Sequence, residues 1–182
     1  VLAAFYLDSD DLSLYQSTVN GNKNRYKLRI RYYDTDGDSP LFFEIKSRQD
    51  NIISKSRAKV HRSSLARLLA GDQPVPEDLV VYRPHDYHKL DNFCRLRRAV
   101  DARPQTRIFY RREAWLPAQD NSARVTYDRR VGTAPDRDAR LPIGLDDLHP
   151  VFGDQVILEL KFTDRFPDWM RILVQTFHLP QM

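Results

Sequence analysis

From Arg25 to Tyr33 the chain reads RYKLRIRYY, an alternation that sends Lys27, Arg29 and Arg31 to one side and Leu28 and Ile30 to the other. A period of two belongs to a β-strand, whose successive side chains point to opposite faces. LFFEIKSR, residues 41 to 48, repeats the pattern: Phe43 and Ile45 oppose Glu44, Lys46 and Arg48. So does VILELKF, residues 156 to 162, where Leu158 and Leu160 oppose Glu159 and Lys161. Parity also groups Lys55 with Arg57, Tyr110 with Arg112, and Arg124 with Thr126 and Asp128. A fold for this chain must therefore accommodate several strands that are apolar on one face and cationic on the other.

The remaining segments supply turns and helices. AAFYLDSDDLSLY reads as a short strand followed by an acidic turn, and DTDGDSP as the turn of a hairpin joining RYKLRIRYYD to LFFEIKSR. SSLARLLAGD has an N-cap at Ser63 or Ser64, a stripe of Leu65, Leu68 and Leu69, and a terminating Gly71, so a short helix is expected. In HDYHKLDNFCRLRRAV, helical spacing links Leu90, Phe93, Leu96 and Val100. Strands resume with TRIFYRREAWL and ARVTYDRRV, residues 132 to 150 have the composition of a long loop, and PDWMRILVQTF is a helix with Pro167 in its first turn. Trp115 and Trp169 read as core residues. Strands, helices, strands and a final helix, with short turns between several strands, define an α+β fold on a mostly antiparallel sheet.

At 182 residues, 41% apolar and 30% charged, the chain suits one globular domain rather than a disordered tail. No apolar run approaches the roughly 20 residues that span a bilayer. Cys94 is the single cysteine, which excludes an internal disulfide and fits a reducing, cytoplasmic setting. Buried in an apolar helix, it reads as a packing residue. His85 and His88 have zinc-like spacing but no second pair near them in sequence. Twenty-nine basic against 25 acidic residues leave a formal charge of +4, a mild excess that suits a polyanion.

The cationic faces allow two readings. An antiparallel sheet with one wet side produces such alternation routinely. Against that, Arg and Lys dominate these positions, and like charges opposed on paired strands repel unless an anion lies between them. A closed or strongly curled sheet would turn the face into a basic tunnel, filled by water and a multiply charged anion. Arg would grip phosphate oxygens bidentately and Lys would act as a point charge. The rare acids there, Glu44 and Glu159, would hold Mg²⁺ or Mn²⁺ together with phosphate oxygens, leaving Lys161 to hold a phosphate.

The ordered set FYLDSDDLSLY, KLRIRYY, FFEIKSR, ISKSR, FYRREAW, RVTYDRRV, VILELKF and FPDWM resembles the VTC domain across nearly the whole chain. That domain is the polyphosphate polymerase module of vacuolar transporter chaperone complexes and their bacterial relatives, among the CYTH-like triphosphate tunnel metalloenzymes. The resemblance implies an antiparallel β-barrel forming a basic tunnel with flanking helices. It further implies metal-dependent transfer of the terminal phosphate of ATP to a polyphosphate chain. Carried onto this sequence, it gives Arg29, Arg31, Lys46, Arg112, Arg124 and Lys161 catalytic and phosphate-binding roles. Lys55 and Arg57 join them in phosphate binding, and Glu159 takes the metal, with Mn²⁺ or Mg²⁺ as cofactor.

Two family elements, a basic strand before the first strand and a Ser-Lys-aromatic element after the last helix, are not found between Val1 and Met182. The expectation is thus a single VTC-like domain over residues 1–182 lacking terminal elements. Two rivals share the site: a triphosphate hydrolase of the same fold, and a non-catalytic polyphosphate-binding module. Expected partners are ATP or another triphosphate, polyphosphate and a membrane-protein partner, with no nucleic acid.

Overall fold

The computed structural model describes residues 1–33, 39–118, 122–139, 141 and 148–180. Among these residues eight strands form one antiparallel sheet: β1 (Leu2–Asp8), β2 (Arg25–Tyr32), β3 (Leu41–Gln49), β4 (Ile52–Val60), β5 (Arg103–Trp115), β6 (Ala123–Pro135), β7 (His149–Pro150) and β8 (Ile157–Phe162). Four α-helices accompany them: α1 (Ser13–Val19), α2 (Leu65–Ala70), α3 (Pro84–Ala99) and α4 (Asp168–Thr176). The strands run β4-β3-β2-β1-β5-β6, after which β6 gives its free side to β8 and, further along, to β7.

The α+β class and the antiparallel sheet agree with the sequence reading. Closure does not: among the described residues β4 ends one side of the sheet, with only a single bridge from Val60 to Leu79 beyond it, β7 and β8 end the other, and the two sides do not pair, so the barrel stays open. Register shifts between β1 and β5 at Tyr6/Leu7 and between β5 and β6 at Phe109/Arg111 add twist to the open sheet. At the second, Arg130 adopts a positive φ of 52°, placing an extra residue on β6.

The apolar parity of each strand forms the core. Phe5, Leu28, Ile30, Tyr32, Leu41, Phe43 and Ile45 are buried beneath Leu65 and Leu68 of α2 and Leu90, Phe93 and Cys94 of α3. Phe43 meets Phe93 edge to face, ring centroids 5.0 Å apart. Burial pushes the Cys94 thiol up to about 11, which suits packing and not nucleophilic chemistry.

Four local expectations need correction. The acidic turn after β1 leads directly into α1. The loop expected from residue 132 is still β6 as far as Pro135, and its far end holds β7. Of that segment, residues 140 and 142–147 lie outside the described residues, as does 34–38 of the β2–β3 turn. Trp115 is 61% exposed and donates to Glu113, and Trp169 is 46% exposed while its neighbour Met170 fills the core.

Candidate anion-binding face

Pairing in register transfers a side chain's facing from one strand to the next. Arg57 lies opposite Glu44, Glu44 opposite Arg29, and Arg29 opposite Tyr6. A second row runs Lys55, Lys46, Lys27. On the other half of the sheet Arg112 pairs with Asp128, Thr126 with Glu159 and Arg124 with Lys161. Tyr110 and Arg31 reach the same face through Leu2 and Ala4 of β1, whose alternate residues share its parity. The expected residues Arg29, Arg31, Lys46, Lys55, Arg57, Arg112, Arg124, Lys161, Glu44 and Glu159 therefore all stand on one side of one sheet, opposite the helical core.

They gather into two clusters. Glu44 is 1% exposed and spends both oxygens on cations: Oε2 accepts from Arg29 Nε at 2.6 Å, and Oε1 accepts from Arg31 Nη2 at 2.6 Å and Arg57 Nε at 2.7 Å. Lys55 Nζ stands 3.4 Å from the same Oε1. Burial alone would raise the Glu44 carboxyl, but Arg29, Arg31 and Lys55 outweigh it and hold it below the usual glutamate range. Lys55 shows the converse. Burial, reinforced by Arg57 and Arg31, leaves its ammonium easier to deprotonate than usual despite Glu44. The cluster is thus short of negative charge.

The second cluster centres on Arg112. Its Nε and Nη2 donate to the two oxygens of Asp128, each at 2.6 Å, and Nη2 lies 3.5 Å from Glu159 Oε2. This clamp is the main reason the guanidinium holds its proton even more firmly than usual. Glu159 accepts from Thr126 at 3.2 Å and pairs with Lys161 at 3.1 Å. Burial would raise its carboxyl, but Lys161, Arg112 and Thr126 hold it lower. Tyr6 and Tyr110 join the clusters: Arg29 donates to the Tyr6 hydroxyl at 3.3 Å, and Arg112 stacks over the Tyr110 ring at 5.1 Å.

The donor sets separate the two glutamates expected to bind metal. Glu44 has no oxygen turned away from its cations. Glu159, 37% exposed, can offer a carboxylate oxygen to a Mg²⁺ or Mn²⁺ ion whose other ligands come from phosphates and water. The described residues hold no cluster of three or more acidic, His or Cys ligands, so an ion here would depend on its substrate for most of its shell.

Parity had already placed Lys27 with Arg29 and Arg31, and Asp128 with Arg124 and Thr126, but gave neither a role at the site. Tyr6 was passed over, since it gains its place only from register between β1 and β2, which no single strand reveals.

Fold and site define a class: an α+β domain whose antiparallel sheet gives one face to a helical core and the other to an array of cations spaced by three carboxylates. The chain belongs to the VTC domain family, whose model matches residues 2–182. It is 23% identical over 208 residues to the vacuolar transporter chaperone complex subunit 4 of Schizosaccharomyces pombe (strain 972 / ATCC 24843), an alignment covering 96% of this chain. The chain spans 29% of the length of that relative.

Proposed function

We propose that this face receives the triphosphate of ATP and the end of a polyphosphate chain, and that the domain transfers the terminal phosphate of ATP to that chain. The observation that carries the reading is the unneutralised register. Lys46 and Lys27 stand next to Lys55, and Arg124 next to Lys161. Among the described residues neither Lys27, Lys46 nor Arg124 has a carboxylate partner. Aligned like charges cost stability on paired strands, and a ligand with a negative charge at every phosphate reverses that cost. Membership of the VTC domain family supports the same substrate class.

In the proposed reaction Lys27, Lys46 and Lys55 hold phosphates from one side, and Arg112, Arg124 and Lys161 from the other. An oxygen of the chain's terminal phosphate attacks the γ-phosphorus in line, the bond from that phosphorus to the β,γ-bridging oxygen breaks, and ADP departs. Such transfer asks mainly for positioning and charge neutralisation. Glu159 would hold the divalent ion, which supplies further neutralisation of phosphate oxygens. Glu44 keeps Arg29, Arg31 and Arg57 in place. ATP as donor puts the working domain in the cytoplasm. A membrane-protein partner fits the same reading, and no helix among the described residues is long and apolar enough to cross a membrane. The relative's being a complex subunit favours such a partner.

A single-stranded nucleic acid would need bare aromatic faces among the cations. Three rings on this face instead carry a guanidinium: Arg31 lies over Tyr33 and Arg57 over Phe42, each at 5.0 Å, and Arg112 lies over Tyr110. They orient guanidinium forks.

The test is product length. The protein is incubated with Mn²⁺ and either ATP or tripolyphosphate, and the phosphates are resolved by size. Chains growing from ATP support the proposal; orthophosphate alone makes the protein a hydrolase, and tight binding without turnover makes it a binding module. Lys46→Ala and Arg124→Ala remove exposed cations that hold no described ion pair, so both variants should fold normally and lose turnover at least tenfold. Normal turnover in both would move the site elsewhere.

A further inference from the structure

We infer that the cavity between α1 and the sheet is a nucleoside subsite, which takes the base and ribose of the nucleotide whose phosphates lie on the cationic face. The inference rests on the phosphate-binding reading above and adds to it a reason for preferring a nucleotide over inorganic triphosphate. The cavity measures about 560 Å³, within the range of small-molecule sites. Leu12, Tyr15 and Thr18 line it from the α1 side, and Tyr6, Ile108 and Lys27 from the sheet. Tyr6, Ile108 and Lys27 share the parity of Arg29, so the cavity opens along the face that carries the cations.

Two of these residues join the cavity to the charge. Lys27 both lines the cavity and ends the lysine row through Lys46 to Lys55. Tyr6 also lines it, and its hydroxyl accepts from Arg29. A molecule with an apolar, stackable head and a polyanionic tail matches that sequence of surfaces; inorganic triphosphate uses only the charged part.

Leu12 points the same way. It sits in the left-handed region at φ 58° and ψ 41°, where Gly, Asn or Asp would sit with less strain. Asp10 and Asp11 precede it, yet the strained position holds an apolar residue that stays 40% exposed and lines the cavity. Strain kept for a half-exposed side chain marks a surface with a ligand to meet. The nearby polar groups are already engaged. Asp8 accepts from the backbone of Ser9, Leu14 and Tyr15, and Thr106 bonds with Thr133. Recognition here would rest on stacking and burial, so ATP and GTP should bind within a few-fold of each other.

The test uses calorimetric titration of wild-type protein, Leu12→Gly and Tyr15→Ala with ATP and with inorganic tripolyphosphate. Leu12→Gly relieves backbone strain, so its melting temperature should not fall, and Tyr15 is largely exposed. Each variant should weaken ATP roughly tenfold, the scale of one lost stacking or apolar contact to a base, and tripolyphosphate less than twofold. Equal losses for both ligands, or none for ATP, overturn the subsite. Wild-type protein that fails to bind tripolyphosphate overturns the phosphate-binding reading itself.

Discussion

Glu44 and Glu159 are the same residue type on the same sheet face, each two residues before a lysine, and their surroundings give them opposite work. Glu44 is surrounded by Arg29, Arg31, Arg57 and Lys55 and sealed from water. Glu44→Gln leaves those cations facing one another, so it should destabilise the fold by about 3–5 kcal/mol, the scale for breaking a buried ion pair. Glu159→Gln, half-exposed, should stay within about 1 kcal/mol while metal-dependent turnover falls. Urea unfolding of both variants in metal-free buffer checks this, and equal stabilities would remove the distinction. The pH dependence has a definite sign. The folded-state pKa of Glu44 is depressed, so its stabilisation is full above the unfolded value of about 4.3 and is lost as pH falls through the lower folded value. The acid limb of wild-type stability should therefore be steeper than that of Glu44→Gln. The sequence displayed both glutamates as rare acids among cations. It could not say which one pairing would surround, because the strand partners are distant along the chain: Arg29 lies 15 residues from Glu44, and Thr126 lies 33 from Glu159.

Elements with a strict period were legible, and those held by a local bond were not. β2, β3 and β8 follow directly from alternation, and α3 from its helical spacing. α1 has seven residues and no amphipathic stripe, so DSDDLSLY read as a turn. What makes it a helix is Asp8. Its two carboxylate oxygens accept the backbone N–H groups of Leu14 and Tyr15 at 2.9 Å each, satisfying donors that a helix start leaves open. Asp8→Ala should cost about 1–2 kcal/mol, on the scale of lost caps, and should raise amide exchange in 13–19 well beyond its effect on β2. Exchange changing equally in both elements would mean that Asp8 supports the sheet and not the helix. The two tryptophans were misread for a related reason. Burial of a strand end or a helix face depends on what lies across from it, and Trp115 and Trp169 are both left exposed.

At the scale of the whole molecule, a formal charge of +4 understates the field, because the sheet sorts the charges. Parity puts the cations of six strands on one side and the apolar residues on the other, so the repulsion among Lys27, Lys46 and Lys55 is built into the register. Barrel closure had no comparable signal: alternation tells which way a side chain points, whereas closure depends on which edges meet, and β4 and β8 carry no mark of their partners. A sorted face of this kind predicts a particular response to anions. A multivalent anion that bridges the strands binds the folded chain alone and stabilises it by about 2.7 kcal/mol when present at 100 times its Kd. Sodium chloride at the same ionic strength screens the repulsion without bridging. Tripolyphosphate should therefore raise the urea midpoint far more than chloride does, and Lys46→Ala should reduce that gain. Added chloride should weaken tripolyphosphate binding progressively. If chloride at matched ionic strength stabilises the protein as well as tripolyphosphate does, the face is merely a repulsive surface relieved by screening, and the phosphate site fails with it.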